Sequence, residues 1–379
     1  MRIAQLTYST KPRGGVAHTL ALAEALARRG HEVSVWTLGR GDDTGFFRDV
    51  DPGVRVRVVP FPSVDGEDVG ERIERSIATM SAAFDADADV LHAQDCISAN
   101  ALGAAGRPHV RTIHHLDAFT TPRLIECHDR AVVEPVARIC VSRAVAGEVA
   151  EGYGVRPTVI PNGVAAERFA AAAGPEGAAA REAWRARLGD YVLALGGIEP
   201  RKGSIDLLEA FAVLRRSRPG ARLVFGGGET LFDYRPYRER FEQRAVELGI
   251  EPEVLGTIAD ADLPSLVAAA RVLGFVSTKE GFGLAAMEAL AAGVPVVARD
   301  LPVTREVFGR AVAYAADVAG IAEALRSALD GRAGDPSAGR RLAESHTWDS
   351  AAERHERFYR AVLQEGGDRG APIDLADHR

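Results

Sequence analysis

The chain has 379 residues, 46% hydrophobic and 26% charged, a makeup that fits a globular protein of two domains and excludes a disordered tail or a lone binding peptide. Its formal charge of −7 offers no overall basic field, so nucleic acid is excluded as a partner and any anionic ligand has to be held by a local cluster. Three cysteines, Cys96, Cys127 and Cys140, form no CxxC pair and no even framework, which excludes a disulfide scaffold and a zinc ribbon.

The first apolar, β-rich run covers 2–8, and a loop with Lys11, Pro12, Arg13, Gly14 and Gly15 leads into a helix over 16–29. That helix carries Leu20, Leu22 and Leu26 at helical spacing and stops at Gly30. Strands follow at 32–38, 54–61, 89–93, 109–114, 139–142 and 158–160. Residues 164–189 are alanine-rich and of low complexity, with Gly and Pro but no strand pattern, and read as a linker. A second series predicts strands at 191–195, 222–225, 254–258, 272–277, 294–298 and 311–314, with helices at 204–216, 236–248, 263–270 and 284–292. From 348 a helix runs to about 364, and the last residues read as a tail.

Alternation of this kind predicts an α/β protein of two Rossmann-like, doubly wound parallel sheets, which bind ligands in a cleft at the carboxyl ends of their strands. The expected domains are 1–170 and 190–349, joined by a linker at 171–189, with the helix at about 350–365 a candidate to pack back on the first and 366–379 a flexible tail. No charged, apolar and small-residue leader pattern opens the sequence, and no apolar run reaches the length of a membrane span, so a cytoplasmic location is expected. Peripheral contact at the inner membrane face stays open.

The most informative stretch runs from Ser277 to Val297. A strand ends, a loop with Gly281 and Gly283 follows, and a helix opens at about Gly283. Backbone amides there have no intrahelical partner, so the helix start is an anion site with the positive end of the dipole behind it. Glu280 lies on the loop side and Glu288 about one and a half turns inside. Carboxylates on either side of a phosphate site suit a nucleotide sugar, with ribose at one end and hexose at the other. A glycosidase acid and base is the competing reading, against which the helix start between the two carboxylates speaks; a cap and a surface residue is the structural one.

The segment EGFGLAAMEALAAGVPVV, with its Glu280-x7-Glu288 spacing, resembles the signature of the retaining glycosyltransferases of family 4, which have the two-domain GT-B fold. Arg13-Gly-Gly-Val16, Arg29-Gly-His-Glu-Val33, Val141-Ser142, Ile160-Pro-Asn-Gly-Val164 and Pro200-Arg-Lys-Gly203 resemble further family motifs in the family's order. The resemblance implies that Glu288 binds the donor ribose, that Glu280 contacts hydroxyls of the transferred sugar, and that amides at Phe282, Gly283 and Leu284 contact sugar or diphosphate. It implies that Lys202 neutralises the diphosphate together with an Arg of a GRLxxxKG pattern. Here that position is Gly197, so either Arg201 substitutes or the second charge comes from elsewhere. A histidine contacting donor sugar or acceptor would be His114, with His115 the alternative, and Asp117 could cap the next turn.

Gly14 and Gly15 read as a close backbone approach to an anion or sugar, against a plain strand-to-helix turn. Asn162-Gly163 reads as a structural turn. Backbone near Gly256, Thr257 and Ile258 is the candidate nucleobase reader. No metal site is expected, since the His doublet has no further ligands at suitable spacing and no DxD-type cluster ends a strand. The expected cofactor is none, the expected partners are a nucleotide sugar and an unidentified acceptor, small molecule, glycan or lipid, and the oligomeric state is open. The mechanism implied is front-face transfer, with helix amides and Lys202 stabilising the leaving diphosphate. Alternatives are a GT-B epimerase or phosphorylase, a two-domain solute-binding protein, and a catalytically inactive sugar-nucleotide-binding scaffold.

Of 46 basic residues, only Lys11, Lys202 and Lys279 are lysines. All three fall in loops expected to line the site, where a compact ammonium on a flexible stem differs from a planar guanidinium.

Overall fold

A computed structural model of the protein describes residues 1–116, 121–228, 234–332 and 335–365. Asp117 and the tail 366–379 lie outside the described residues. The chain forms two compact units, the first made of Met1–Gly163 with the chain from Trp348, the second of Val164–Thr347.

The first unit is built on seven parallel strands, β1 (Arg2–Leu6), β2 (Glu32–Arg40), β3 (Val54–Phe61), β4 (Val90–Ala93), β5 (Val110–Ile113), β6 (Ala137–Cys140) and β7 (Thr158–Val159). Their order is β3-β2-β1-β4-β5-β6-β7, so the winding reverses between β1 and β4. Leu6 is in register with Trp36 on one side and with Ala93 on the other, so β1 and β4 end level while β2 runs on to Arg40. Helix Gly14–Arg28 packs Leu20, Leu22 and Leu26 into the core, and Gly30 follows at a positive φ of 85°. The helix Trp348–Glu365 closes the same core with Ala352, Phe358 and Tyr359, and its Glu356 takes two hydrogen bonds from Arg29.

The second unit repeats the plan with β8 (Tyr191–Leu195), β9 (Arg222–Gly226), β10 (Glu253–Val254), β11 (Val272–Phe275), β12 (Val296–Arg299) and β13 (Ala313–Ala315), all parallel, in the order β10-β9-β8-β11-β12-β13. One of its cores gathers Val192, Leu207, Phe211, Phe225, Val272 and Leu325 on one face of the sheet. Here the reversal falls between β8 and β11, and ligands of such sheets bind at the carboxyl ends beside that point.

The expected linker is not one. Helices Ala166–Ala173 and Ala178–Leu188 occupy 164–189 and belong to the second unit, where Phe169 is buried and the Trp184 indole donates to Ser265 Oγ at 3.0 Å. Alanine is the strongest helix former, so low complexity here marks helix, broken only where Gly174 and Pro175 interrupt it. The boundary therefore falls at Gly163, not at 170.

Candidate functional site

In the second unit the loop after β8 and the loop after β11 meet. A short 3-10 turn, Pro200–Lys202, presents Lys202 Nζ at 3.2 Å from Glu280 Oε2, and Arg201 Nη1 lies 3.6 Å from the same oxygen. Arg201 also donates to the Lys279 carbonyl, and its own carbonyl accepts from the Thr278 amide at 2.7 Å, which ties the two loops together. The stem of Lys202 runs past Gly196, and its ammonium lies 5.7 Å from the centre of the Phe275 ring.

Gly197, where the family pattern has its arginine, admits no side chain. A Cβ there would sit 2.7 Å from the Gly228 carbonyl oxygen and 2.8 Å from Glu199 Oε1. The positive charge that lies beside Lys202 on Glu280 is that of Arg201.

Helix Leu284–Ala291 starts from Gly283, whose φ of 97° and nearest neighbours, the Phe308 and Phe275 rings, require glycine. Phe282 is buried against the His346 ring, 5.7 Å between centres, so it offers the loop its backbone. Glu288 is half-buried one turn in. Burial pushes its carboxyl up to about 8, the Arg168 charge working against the shift and Asp260 with it. Arg168 itself pairs with Asp260 at 2.7 Å. Thr257 and Ile258 lie beyond β10, against Gly228 and Gly226. The described part of that strand ends at Val254, short of the predicted 258.

The first unit holds the other candidates. Gly15 lies at the start of its helix, and a Cβ added there would be 3.6 Å from the His114 ring. His114 follows β5, contacts Gln94 Oε1 at 3.3 Å through Nε2, and packs edge-on against His18 with ring centres 4.8 Å apart. Burial and the charge of His115 push His114 down to about 3, so it is neutral at pH 7. His115 is half-buried beside it. Lys11 is salt-bridged to Asp43 at 2.9 Å, which gives it a role in holding its loop.

Sequence reading missed what lies beneath His114. His18, His92 and His355 are fully buried, with ring centres of His18 and His355 6.1 Å apart and of His92 and His355 5.9 Å apart. His18 donates to Asn162 Oδ1 at 3.0 Å, while His92 is held between Tyr359 and Thr112. The Asn162 side chain thus holds the His18 ring, and Gly163 leaves room for the Trp348 backbone.

Known proteins sort these observations. The family description Glycosyltransferase Family 4 matches residues 12–168, and Glycosyl transferases group 1 matches 181–346. The phosphatidyl-myo-inositol mannosyltransferase of Mycobacterium tuberculosis is 31% identical over 396 residues, spanning 97% of this chain and 98% of its own. The chain belongs to glycosyltransferase family 4. A second relative of this glycosyltransferase, the D-inositol 3-phosphate glycosyltransferase of Xylanimonas cellulosilytica, is 30% identical over 93% of this chain and 94% of its own.

Solved structures carry the GT-B fold. Sucrose-phosphate synthase from Thermosynechococcus elongatus matches with a TM-score of 0.76 at 20% identity, covering 96% of this chain and 100% of its own. Anabaena HepE, solved with UDP-glucose, matches with 0.66 at 20% identity, covering 97% and 98%. Among the described residues of this glycosyltransferase no helix is long and apolar enough to cross a membrane, and no three His, Cys, Asp or Glu are grouped to hold a metal ion.

Proposed function

We propose that this glycosyltransferase takes its sugar from a nucleoside-diphosphate sugar, retains the anomeric configuration and works without a metal. The observation that carries the reading is the convergence of Lys202 and Arg201 on Glu280 beside the helix start at Gly283. A carboxylate holds two cations where a diphosphate would replace it as counter-ion, and the first amides of the helix that starts at Gly283 would join them on the same anion. As the glycosidic bond to the diphosphate breaks, negative charge grows on the leaving phosphate, where the cations and amides are strongest in effect. Glu280, released from its cations, is then free to accept from a sugar hydroxyl. His114, neutral at pH 7, would lie beside the transferred sugar or the acceptor, and the leaving phosphate would take the acceptor's proton in a front-face attack. Gly14 and Gly15 would approach the donor through backbone, Glu288 the ribose, and Thr257 with Ile258 the base.

The acceptor we propose is an inositol-type molecule, because two relatives of at least 30% identity are named for phosphatidyl-myo-inositol and D-inositol 3-phosphate. The test is a panel of UDP-, GDP- and ADP-sugars, followed by thermal shift and slow hydrolysis with EDTA present, and by NMR of the product anomer. No stabilisation by any nucleotide sugar, an inverted product or a metal requirement would each remove the corresponding part.

A further inference from the structure

We propose that the carboxyl edge of β1, β2 and β3 is an oxyanion subsite in which the guanidinium groups of Arg13 and Arg40 bind a phosphate ester of the acceptor. The word acceptor rests on the transferase reading; the subsite itself rests on the first unit alone.

Arg40 is the last residue of β2, Phe61 the last of β3, and Tyr8 lies two residues past β1, while Arg13 precedes the helix Gly14–Arg28. Because the three strands are parallel and in one sheet, these side chains gather at one edge, the one where such sheets bind ligands. The Tyr8 ring has the Arg13 guanidinium 5.8 Å and the Arg40 guanidinium 5.7 Å from its centre, and Arg40 lies 5.3 Å from the Phe61 ring. Two like charges therefore share one aromatic wall.

Other arginines of this unit show what is missing. Arg75 grips Glu67 through two nitrogens, and Arg48 does the same with Glu24. Among the described residues neither Arg13 nor Arg40 has an ion pair. The side-chain hydrogen bonds they make go to neutral hydroxyls, Arg13 to Tyr8 at 3.0 Å and Arg40 to Ser76 at 3.4 Å, and the buried Nε of each has no partner. The Asp95 carboxylate, which faces Tyr8, is taken up by the Tyr8 amide and by Ser98.

Burial pushes the Arg40 guanidinium down to about 10, and the charges of Arg72, Arg13 and Arg75 add to the shift, so it stays cationic at neutral pH while partly stripped of water. Gathering desolvated like charges is unfavourable unless something of opposite charge completes the set. A phosphate matches two guanidinium forks in charge and geometry, and Tyr8 and Phe61 keep the site dry on one side.

Calorimetric titration of the full chain with inorganic phosphate, D-inositol 3-phosphate and free inositol tests this, alongside sedimentation with phosphatidylinositol vesicles. Phosphate and the ester should bind, free inositol should bind at least about tenfold more weakly, and Arg40→Gln and Arg13→Gln should each weaken phosphate by about tenfold while Arg48→Gln, whose guanidinium is already held by Glu24, leaves it unchanged. Binding of the soluble ester identifies a free phosphate ester as the ligand, and binding to vesicles alone identifies the lipid headgroup; either supports the subsite. Phosphate binding that survives both arginine changes, that falls only in Lys202→Gln, or that is absent overturns it. Should Arg40→Gln fail to fold, Arg13→Gln decides, because its side-chain hydrogen bond is to Tyr8 alone. Nucleoside diphosphate binding is read in the same variants. Its insensitivity to Lys202→Gln would sink the donor reading and leave the oxyanion subsite standing.

Discussion

At neutral pH the Glu288 carboxyl, pushed up to about 8 by burial, is mostly a neutral acid. Such a group both donates and accepts hydrogen bonds, as the proposed contact to ribose hydroxyls requires. A carboxyl that keeps its proton to higher pH when folded than when unfolded makes the folded state the better proton binder between the two values. The stability it contributes is therefore full below the ordinary glutamate range and is lost as pH rises through about 8. Glu288→Gln should flatten that slope, so that urea midpoints compared at about pH 5 and about pH 8.5 fall less in the variant than in the parent chain. Equal slopes would show that Glu288 is ionised throughout. Gly197 allows a second test at this scale. Gly197→Arg restores the arginine of the family pattern, yet its Cβ would press on the Gly228 carbonyl, and a loss of about 2 kcal/mol or more in urea unfolding is expected. A variant as stable as the parent, with tighter nucleoside diphosphate binding, would mean that this backbone yields.

Helix Trp348–Glu365 and the strands β4 and β5 bury three histidines together and pin a fourth above them. Burial holds His355 down at about 4 and His114 at about 3, and it lowers His18 and His92 well below the ordinary imidazole range. Bases that resist protonation when folded give stability that is complete above about pH 6.5 and is lost as pH falls toward the folded values. Each contributes a slope of about 1.4 kcal/mol per pH unit in that window. The expected outcome is acid unfolding of the first unit between about pH 6 and about pH 4, with His355→Leu reducing the slope by about one proton. A melting profile flat over that range would show that the cluster opens to water.

The same element shows what sequence could carry. The loop from Lys279 to Glu288 was legible because its strand, glycine turn and helix are contiguous, and local spacing encodes them. His18, His92, His114 and His355 are spread over most of the chain, and only the strand order and the return of the last helix bring them together. Arg13 and Arg40 were illegible as a pair for the same reason. The helices at 164–189 were misread for another, since composition alone does not separate an alanine-rich helix from an alanine-rich linker.

For the whole molecule, the decisive feature is that the chain enters and leaves the second unit side by side. The Val164 amide donates to the His346 carbonyl at 2.8 Å, and Gly163 packs on the Trp348 backbone. A unit with its ends together, its own six-stranded sheet and its own buried core has what it needs to fold when excised. Residues 164–347 alone should melt in one cooperative transition and bind nucleoside diphosphate within about tenfold of the full chain, because Lys202, Arg201, Glu280, Gly283 and Glu288 all lie inside it. Residues 1–163 alone should not fold, since removing Phe358 and Tyr359 from their core costs about 3 to 5 kcal/mol for each aromatic side chain. Linking 1–163 to 348–365 through a short glycine-serine segment should restore it. Calorimetry on the three pieces decides the matter. Nucleotide binding more than about tenfold weaker in 164–347 would assign a share of the donor contacts to the first unit, for which Gly14 and Gly15 are the proposed backbone.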